Sequence, residues 1–309
     1  IYDRLVGSEM CIRDRVYFVL YMEKVQTARV IEFYSNSCMV RLGDMNIPCL
    51  TPKRLDVVVG DEVEIDVIND SSEIKGKIVK RHKRRSALKR FLKGSVKTYA
   101  ANLTHIGIIC SPIPETPRRF IDKWLVLANA SNLSAFIVAN KSDQTYSKDY
   151  SGKLDLYKTL GVNIVEISAK EGDGIEKLKN FIAMKSTIFV GKSGAGKSTI
   201  TSKLTGKSLK TQSLKKSRGL HTTSISSLYS VEKNIEIIDS PGTRDLDISN
   251  IKKIDILSAF WEINEASKNC KFSDCRHIDE KNCAVQLGLK TNKIATSRYN
   301  NFLDFINNE

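Results

Sequence analysis

Between Met22 and about Lys97, apolar and polar residues alternate over short runs, at 26–33, 37–42, 62–68 and 75–80. A period of two puts one face of a strand in a core and the other in water. Turn formers fill the intervals, among them Gly43-Asp44, Gly60-Asp61 and Asn69-Asp70-Ser71-Ser72. Several short strands in so short a span predict a small antiparallel barrel of OB type. From Ala101 the rhythm changes. Unbroken apolar runs at 106–111, 135–140, 163–168 and 186–190 read as strands buried on both faces. Helical patterns at 117–130, before Gly161, at 175–183 and from Lys197 separate them, and strands at 224–229 and 234–239 close the series. This alternation predicts a mostly parallel α/β sheet covered on both faces. Beyond 248 the chain reads as helical, apart from a cluster of cysteines around one histidine.

Composition adds a partner to this picture. The 309 residues suffice for two or three domains, and 41% hydrophobic with 27% charged residues is the balance of a folded protein. No apolar run approaches the roughly 18 residues of a membrane-spanning helix, so no membrane partner is expected. Lys and Arg number 49 against 35 Asp and Glu, a formal net charge of +14. Such an excess favours a polyanion, because neutralising phosphates releases counterions. The basic run Lys80-Arg81-His82-Lys83-Arg84-Arg85, followed by Lys89, Arg90, Lys93 and Lys97, suits RNA contact beside the barrel, although a solvated linker reads the same way. Seven cysteines, three of them close together, indicate a reducing compartment, and the cytoplasm is expected. Residues 1–21 have no period that matches the rest of the chain; the string from Gly7 to Arg15 resembles translated adapter sequence, and Met22 is the expected start.

Gly191, Lys192, Ser193, Gly194, Ala195, Gly196, Lys197 and Ser198 fit G-x-x-x-x-G-K-[ST], between an apolar strand and a helix. Glycines let backbone N–H groups turn inward around phosphate oxygens, and the helix N-terminus that includes Thr199 adds its dipole. Lys197 is expected at the β- and γ-phosphates and Ser198 on Mg²⁺. Asn140, Lys141, Ser142 and Asp143 end an earlier strand as Asn-Lys-x-Asp. A carboxylate at Asp143 can accept from guanine N1–H and the exocyclic amine, a pair adenine lacks; Lys141 would lie along the base and Asn140 would tie the loop down. Ser168, Ala169 and Lys170 end the next strand, suited to backbone contact with guanine. Asp239 and Gly242, in Asp-x-x-Gly, would sense Mg²⁺ and the γ-phosphate, while Thr222 and Thr223 could close over both with His221 beside them. The order is unusual: the base-reading motifs precede the phosphate-binding ones. This order predicts a circularly permuted P-loop GTPase using GTP, GDP and Mg²⁺, with its γ-phosphate sensor leading directly into the C-terminal segment.

Cys270-x4-Cys275-x-His277-x5-Cys283 gathers three thiolates and an imidazole within 14 residues, the donor set of one closed, structural Zn²⁺ site. The permuted order, the barrel before it and this cluster behind it resemble the RsgA (YjeQ/YloQ) family of ribosome small-subunit-dependent GTPases. Ala101-Asn102, the run from Phe272 to His277, and Cys283-Ala284-Val285 add to the resemblance. It implies a GTPase that binds the small (30S) ribosomal subunit and its rRNA during late maturation, hydrolyses GTP when stimulated by the subunit, and is then released. It also implies His221 as a candidate substitute for the water-orienting glutamine the chain lacks. Thr243-Arg244-Asp245-Leu246 departs from the family's usual sequence after Gly242. Small-subunit contact is expected through the barrel, the zinc segment and the basic loop 203–218. The expected organisation is a leader (1–21), an OB-fold RNA-binding domain (22–97), a permuted GTPase domain (98–248) and a zinc-binding helical domain (249–309), acting as a monomer. A different class stays open: a GTP-gated RNA-binding switch with negligible hydrolysis on another RNA.

Overall fold

The structure, a computed structural model, describes residues 25–34, 36–70, 73–92, 95–206, 226–232, 234–239 and 247–307. The leader, His221, Thr222, Thr223, Gly242 and 243–246 lie outside the described residues, as does most of the basic loop 203–218. Two compact units emerge, Ile1–Lys83 and Arg84–Glu309.

The first unit is a five-stranded barrel of β1 (Val25–Tyr34), β2 (Ser37–Leu42), β3 (Met45–Leu50), β4 (Glu62–Asp70) and β5 (Glu73–Arg81). Their order is β1-β2-β3-β5-β4, closed by β1 pairing β4, and only the short β3–β5 ladder is parallel. This is the OB arrangement. Alternation turns Val30, Val40, Ile47, Val63, Ile65 and Ile78 into the barrel core. Bulges at Val30/Glu32 and Glu64/Ile65 add the local twist that closure needs. Strand β3 escaped the sequence reading because Pro48 interrupts it. Pro48 sits just outside the Cys49–Leu50 ladder to β5, where a missing N–H costs least.

The second unit begins earlier than the boundary expected at Lys97. The basic run expected to contact RNA leads into a hairpin, β6 (Ala87–Leu92) with β7 (Ser95–Ala101). Arg84 donates to Thr98 Oγ1 at 2.8 Å, and Arg85 N–H donates to Asn102 Oδ1 at 2.8 Å, fastening the run to this unit. Six strands then form a sheet: β8 (His105–Cys110), β9 (Ser134–Asn140), β10 (Ile164–Ile167), β11 (Ser186–Gly191), β12 (Ser227–Val231) and β13 (Ile235–Asp239). Their order is β10-β9-β8-β11-β13-β12, parallel except for β12. The sheet thus starts in the middle at β8, grows to one side through β10, and returns to grow the other way from β11. Gly107 of β8 stands in register between Phe136 and Phe189; a Cβ there would lie 2.6 Å from the Phe189 ring, so only glycine admits both rings.

Eight described helices accompany the sheet: α1 (Arg118–Ala130), α2 (Lys148–Thr159), α3 (Ile175–Phe181), α4 (Lys197–Thr205), α5 (Lys253–Ala259), α6 (Trp261–Ser267), α7 (Ala284–Lys290) and α8 (Thr296–Asn307). The C-terminal helices join the α/β unit through a buried ionic network. Arg298 of α8 is 1% exposed; its Nη1 donates to Asp122 Oδ1 of α1 at 2.7 Å, while Nε and Nη2 fork onto Glu262 of α6 at 2.7 and 2.9 Å. Tyr157 and Asn301 also donate to Asp122, and the guanidinium lies 4.1 Å from the Phe260 ring centroid. A buried charge persists when its partners are this complete.

Candidate nucleotide site and metal centre

The parallel strands β8, β9, β10, β11 and β13 present their carboxyl ends on one edge, where open α/β sheets take their ligands. Loop 111–117, the Asn140–Asp143 segment, Ser168–Lys170 and the phosphate loop 191–198 all follow such ends, and Asp239 occupies the fifth.

A single buried amide ties three of these together. Asn140, 2% exposed, donates from Nδ2 to Ala195 O at 2.8 Å and accepts the Ala169 N–H on Oδ1 at 3.0 Å. The Ser168–Lys170 and 191–198 loops are therefore held in fixed relation by one side chain. Gly196 permits this contact. Its φ is +100°, and a Cβ there would fall 2.2 Å from Asn140 Nδ2. Gly196 caps the N-terminus of α4, so the N–H groups beyond it, including those of Lys197, Ser198 and Thr199, open toward the same edge. Lys192, Ser193 and Thr199 are exposed, and Ser198 is half-buried.

On the base side, the Asp143 carboxylate is exposed and accepts the Ser168 hydroxyl at 2.6 Å. That bond, with Lys170 and Lys141 nearby, holds its carboxyl below the usual carboxylate range. Asp143 is thus kept as an acceptor-only group facing water, the state required to take two donors from a purine edge. Ser142 N–H donates to Ile167 O at 3.1 Å, Lys170 pairs with Glu171 at 3.0 Å, and the Lys141 ammonium donates to Ile113 O. On the phosphate side, Lys197 Nζ meets Asp239 Oδ1 at 2.6 Å. A phosphate entering the loop would compete with that carboxylate for the ammonium.

The second cluster lies in the C-terminal segment. The ligand atoms of Cys270, Cys275, His277 and Cys283 all fall within 4.8 Å of one another. His277 Nδ1 is 3.6 Å from both Cys270 Sγ and Cys283 Sγ, and those sulfurs are 3.9 Å apart. A tetrahedral ion with Zn–S near 2.3 Å and Zn–N near 2.0–2.1 Å sets edges of about 3.8 Å for S···S and about 3.6 Å for S···N. The separations among Cys270, His277 and Cys283 match those edges, and Cys275 lies close enough to complete a tetrahedral set. Burial pushes the Cys275 thiol up to about 12, while at Cys270 the N–H groups of Ala284 and Val285 and neighbouring thiols outweigh burial and lower it. Crowded thiols with unequal proton affinities are what a bound cation would resolve by displacing the protons. The carbonyl of His277 accepts from Gln286 and Tyr299, and Glu280 accepts the N–H groups of Arg276 and Ile278, so the knuckle is braced from outside. Gln286, Tyr299 and Glu280 carried no signal in the sequence, since single polar residues near a cysteine cluster look like surface.

Comparison with known proteins bears on the whole arrangement. The model of the RsgA GTPase family matches residues 81–249. The small ribosomal subunit biogenesis GTPase RsgA of Flavobacterium psychrophilum is 34% identical over 264 residues, covering 81% of this chain and 80% of that protein. The protein of the same name from Histophilus somni is 34% identical over 217 residues, covering 67% of this chain; the match spans 61% of that relative's length. The crystal structure of YjeQ from Thermotoga maritima superposes with a TM-score of 0.71 at 29% identity, covering 91% of this chain and 98% of that one. With the strands that carry Asn-Lys-x-Asp and Ser-Ala-Lys ahead of the strand that leads into the 191–198 loop, this chain belongs to the RsgA GTPase family of circularly permuted GTP-hydrolysing enzymes.

Proposed function

We propose that this chain acts on the small ribosomal subunit, binding it with GTP in place and leaving after hydrolysis. In this reading guanine is recognised by Asp143, with Lys141 along the ring and Ser168, Ala169 and Lys170 behind it. The backbone of 191–198 and Lys197 take the phosphates. Magnesium arrives with GTP as part of the substrate and spreads the charge of the transferred phosphate; Ser198 and Asp239 would hold it. Thr222, Thr223 and Gly242 close over the γ-phosphate, with His221 as the candidate to orient water. Unaided turnover is expected to be slow, because no glutamine follows Gly242 and no arginine finger is evident in the motifs. The Cys270, Cys275, His277, Cys283 cluster holds one structural Zn²⁺.

The observation that carries the nucleotide reading is the Asn140 amide, which binds the base-side and phosphate-side loops into one preformed cradle. The relatives named for small-subunit biogenesis support the ribosomal role, and the +14 charge supports an rRNA surface as the partner. The barrel, the zinc segment and the loop around 203–218 are the parts proposed to meet it. The test is GTP hydrolysis by the purified protein alone, with small subunits, with large subunits and with bulk RNA. Stimulation by small subunits alone is expected; equal rates in all four conditions would remove the ribosomal assignment and leave the GTP site standing.

A further inference from the structure

We propose that Lys153, a wholly buried lysine on α2, is a positioning residue for the guanine nucleotide, acting through loop 111–117 on both Lys141 and the phosphate loop. The proposal rests on the nucleotide-site reading. Helix α2 turns Tyr150, Leu154 and Tyr157 inward, and position 153 falls on the same i, i+3, i+4, i+7 face, where the spacing calls for an apolar residue. A lysine stands there, and its side chain is 1% exposed. Its ammonium donates to Glu115 Oε1 and, at 2.6 Å, to the Thr116 carbonyl, and it lies 5.3 Å from the Tyr150 ring centroid. An apolar side chain would fill this space without burying a charge. What the ammonium adds is a fixed position for Glu115 and Thr116.

Those two residues belong to a loop braced by its own hydrogen bonds. Ser111 N–H donates to Thr116 Oγ1 at 3.1 Å, Thr116 N–H returns to Ser111 O at 3.2 Å, and the Ser111 hydroxyl donates to Pro114 O at 2.7 Å. The apex of the loop then touches both halves of the cradle. Ile113 O accepts the Lys141 ammonium, and Pro114 abuts Gly194, where a Cβ would sit 3.2 Å from Pro114 Cδ. Lys141 is thereby oriented before the base arrives, which lowers the ordering cost of binding. Holding the loop from below thus sets the base clamp and the phosphate loop from above.

Fluorescent GDP affinity, and KM and kcat for GTP, decide the matter in Lys153→Met, Lys141→Met, the double variant and Glu115→Gln. Lys153→Met is expected to weaken GDP binding by about tenfold, as a mis-set positioning group does, and to raise KM with kcat changed less than about twofold. In the Lys141→Met background the same change should have less than half that effect, because the contact it orients is already gone. Glu115→Gln, which keeps the side chain's shape and leaves Lys153 its Thr116 carbonyl, should weaken GDP by about threefold and decides the case if Lys153→Met does not fold. Wild-type GDP affinity in Lys153→Met and Glu115→Gln would overturn the proposal. So would a loss that is undiminished in the Lys141→Met background, since that marks a general structural defect. Lys197→Ala and Asp143→Asn separate the two readings: if both bind GDP normally, it is the nucleotide site itself that was misassigned.

Discussion

At the scale of single residues, the site depends on hydrogen-bonding groups that have one state and one direction. The Ser168 hydroxyl and the flanking lysines keep Asp143 ionised, and an ionised carboxylate can only accept. In the proposed reading, replacing it by Asn exchanges one acceptor oxygen for a donor that would face the donors of guanine. Asp143→Asn is expected to weaken GDP by about 10- to 100-fold, the value of a charge-assisted bond lost and a donor left opposed. Titration with fluorescent GDP checks this, and an unchanged affinity would mean that guanine is read elsewhere. The Asn140–Gly196 contact belongs to the same scale. Gly196→Ala pushes a methyl group into the amide that links Ala195 and Ala169, so its cost should appear in binding of GDP and GTP alike.

Helices and strands matter as carriers of those residues, and two of them are fastened by groups the hydrophobic pattern does not announce. Arg298→Met strands Asp122 and Glu262 around an apolar side chain. It should cost about 3–5 kcal/mol of unfolding free energy in urea titration, with part recovered by adding Asp122→Asn. If the cluster holds zinc as proposed, metal removal should act on α7, which starts directly after Cys283. Chelation, or Cys283→Ser, should empty the site of one zinc per chain by elemental analysis and speed amide exchange through α7 while leaving β9 and β11 protected. The buried parallel strands were legible because both faces are apolar, and the phosphate and Asn-Lys-x-Asp loops because only a few residue types allow that chemistry. Hairpin β6–β7 was not. Its run of Lys and Arg hid a period-two pattern in which Leu88 and Ala100 are buried. Lys153 and Arg298 were equally hidden, since a basic residue on a helix reads as a solvated one until its acceptors are known. Asp122, Glu262 and Glu115 reach them across 176, 36 and 38 positions of chain.

For the molecule as a whole, charge and chain order carry consequences beyond any one site. With +14 net charge, retention on small subunits should fall steeply with salt. A log–log slope of magnitude about 5 or more is expected if at least six phosphates are contacted, and a flat dependence would point to a protein surface as the main contact. The order of strands in the sheet has another outcome, which concerns synthesis. β8, β9 and β10 are neighbours both in sequence and in space, so the base-reading half can assemble as it leaves the ribosome that makes it. β11 must pair back onto β8, and Thr104 waits 82 residues for Ser186. Asp239 follows Asp143 by 96 residues (239 − 143), roughly 5–20 s of translation at about 5–20 residues per second. Under the proposed assignments the nascent chain carries its guanine reader alone until loop 191–198 follows, about halfway through that interval, and lacks the Mg²⁺-side carboxylate until Asp239 is made, so a newly made molecule is not equipped for GTP until more than three quarters of its length has been translated.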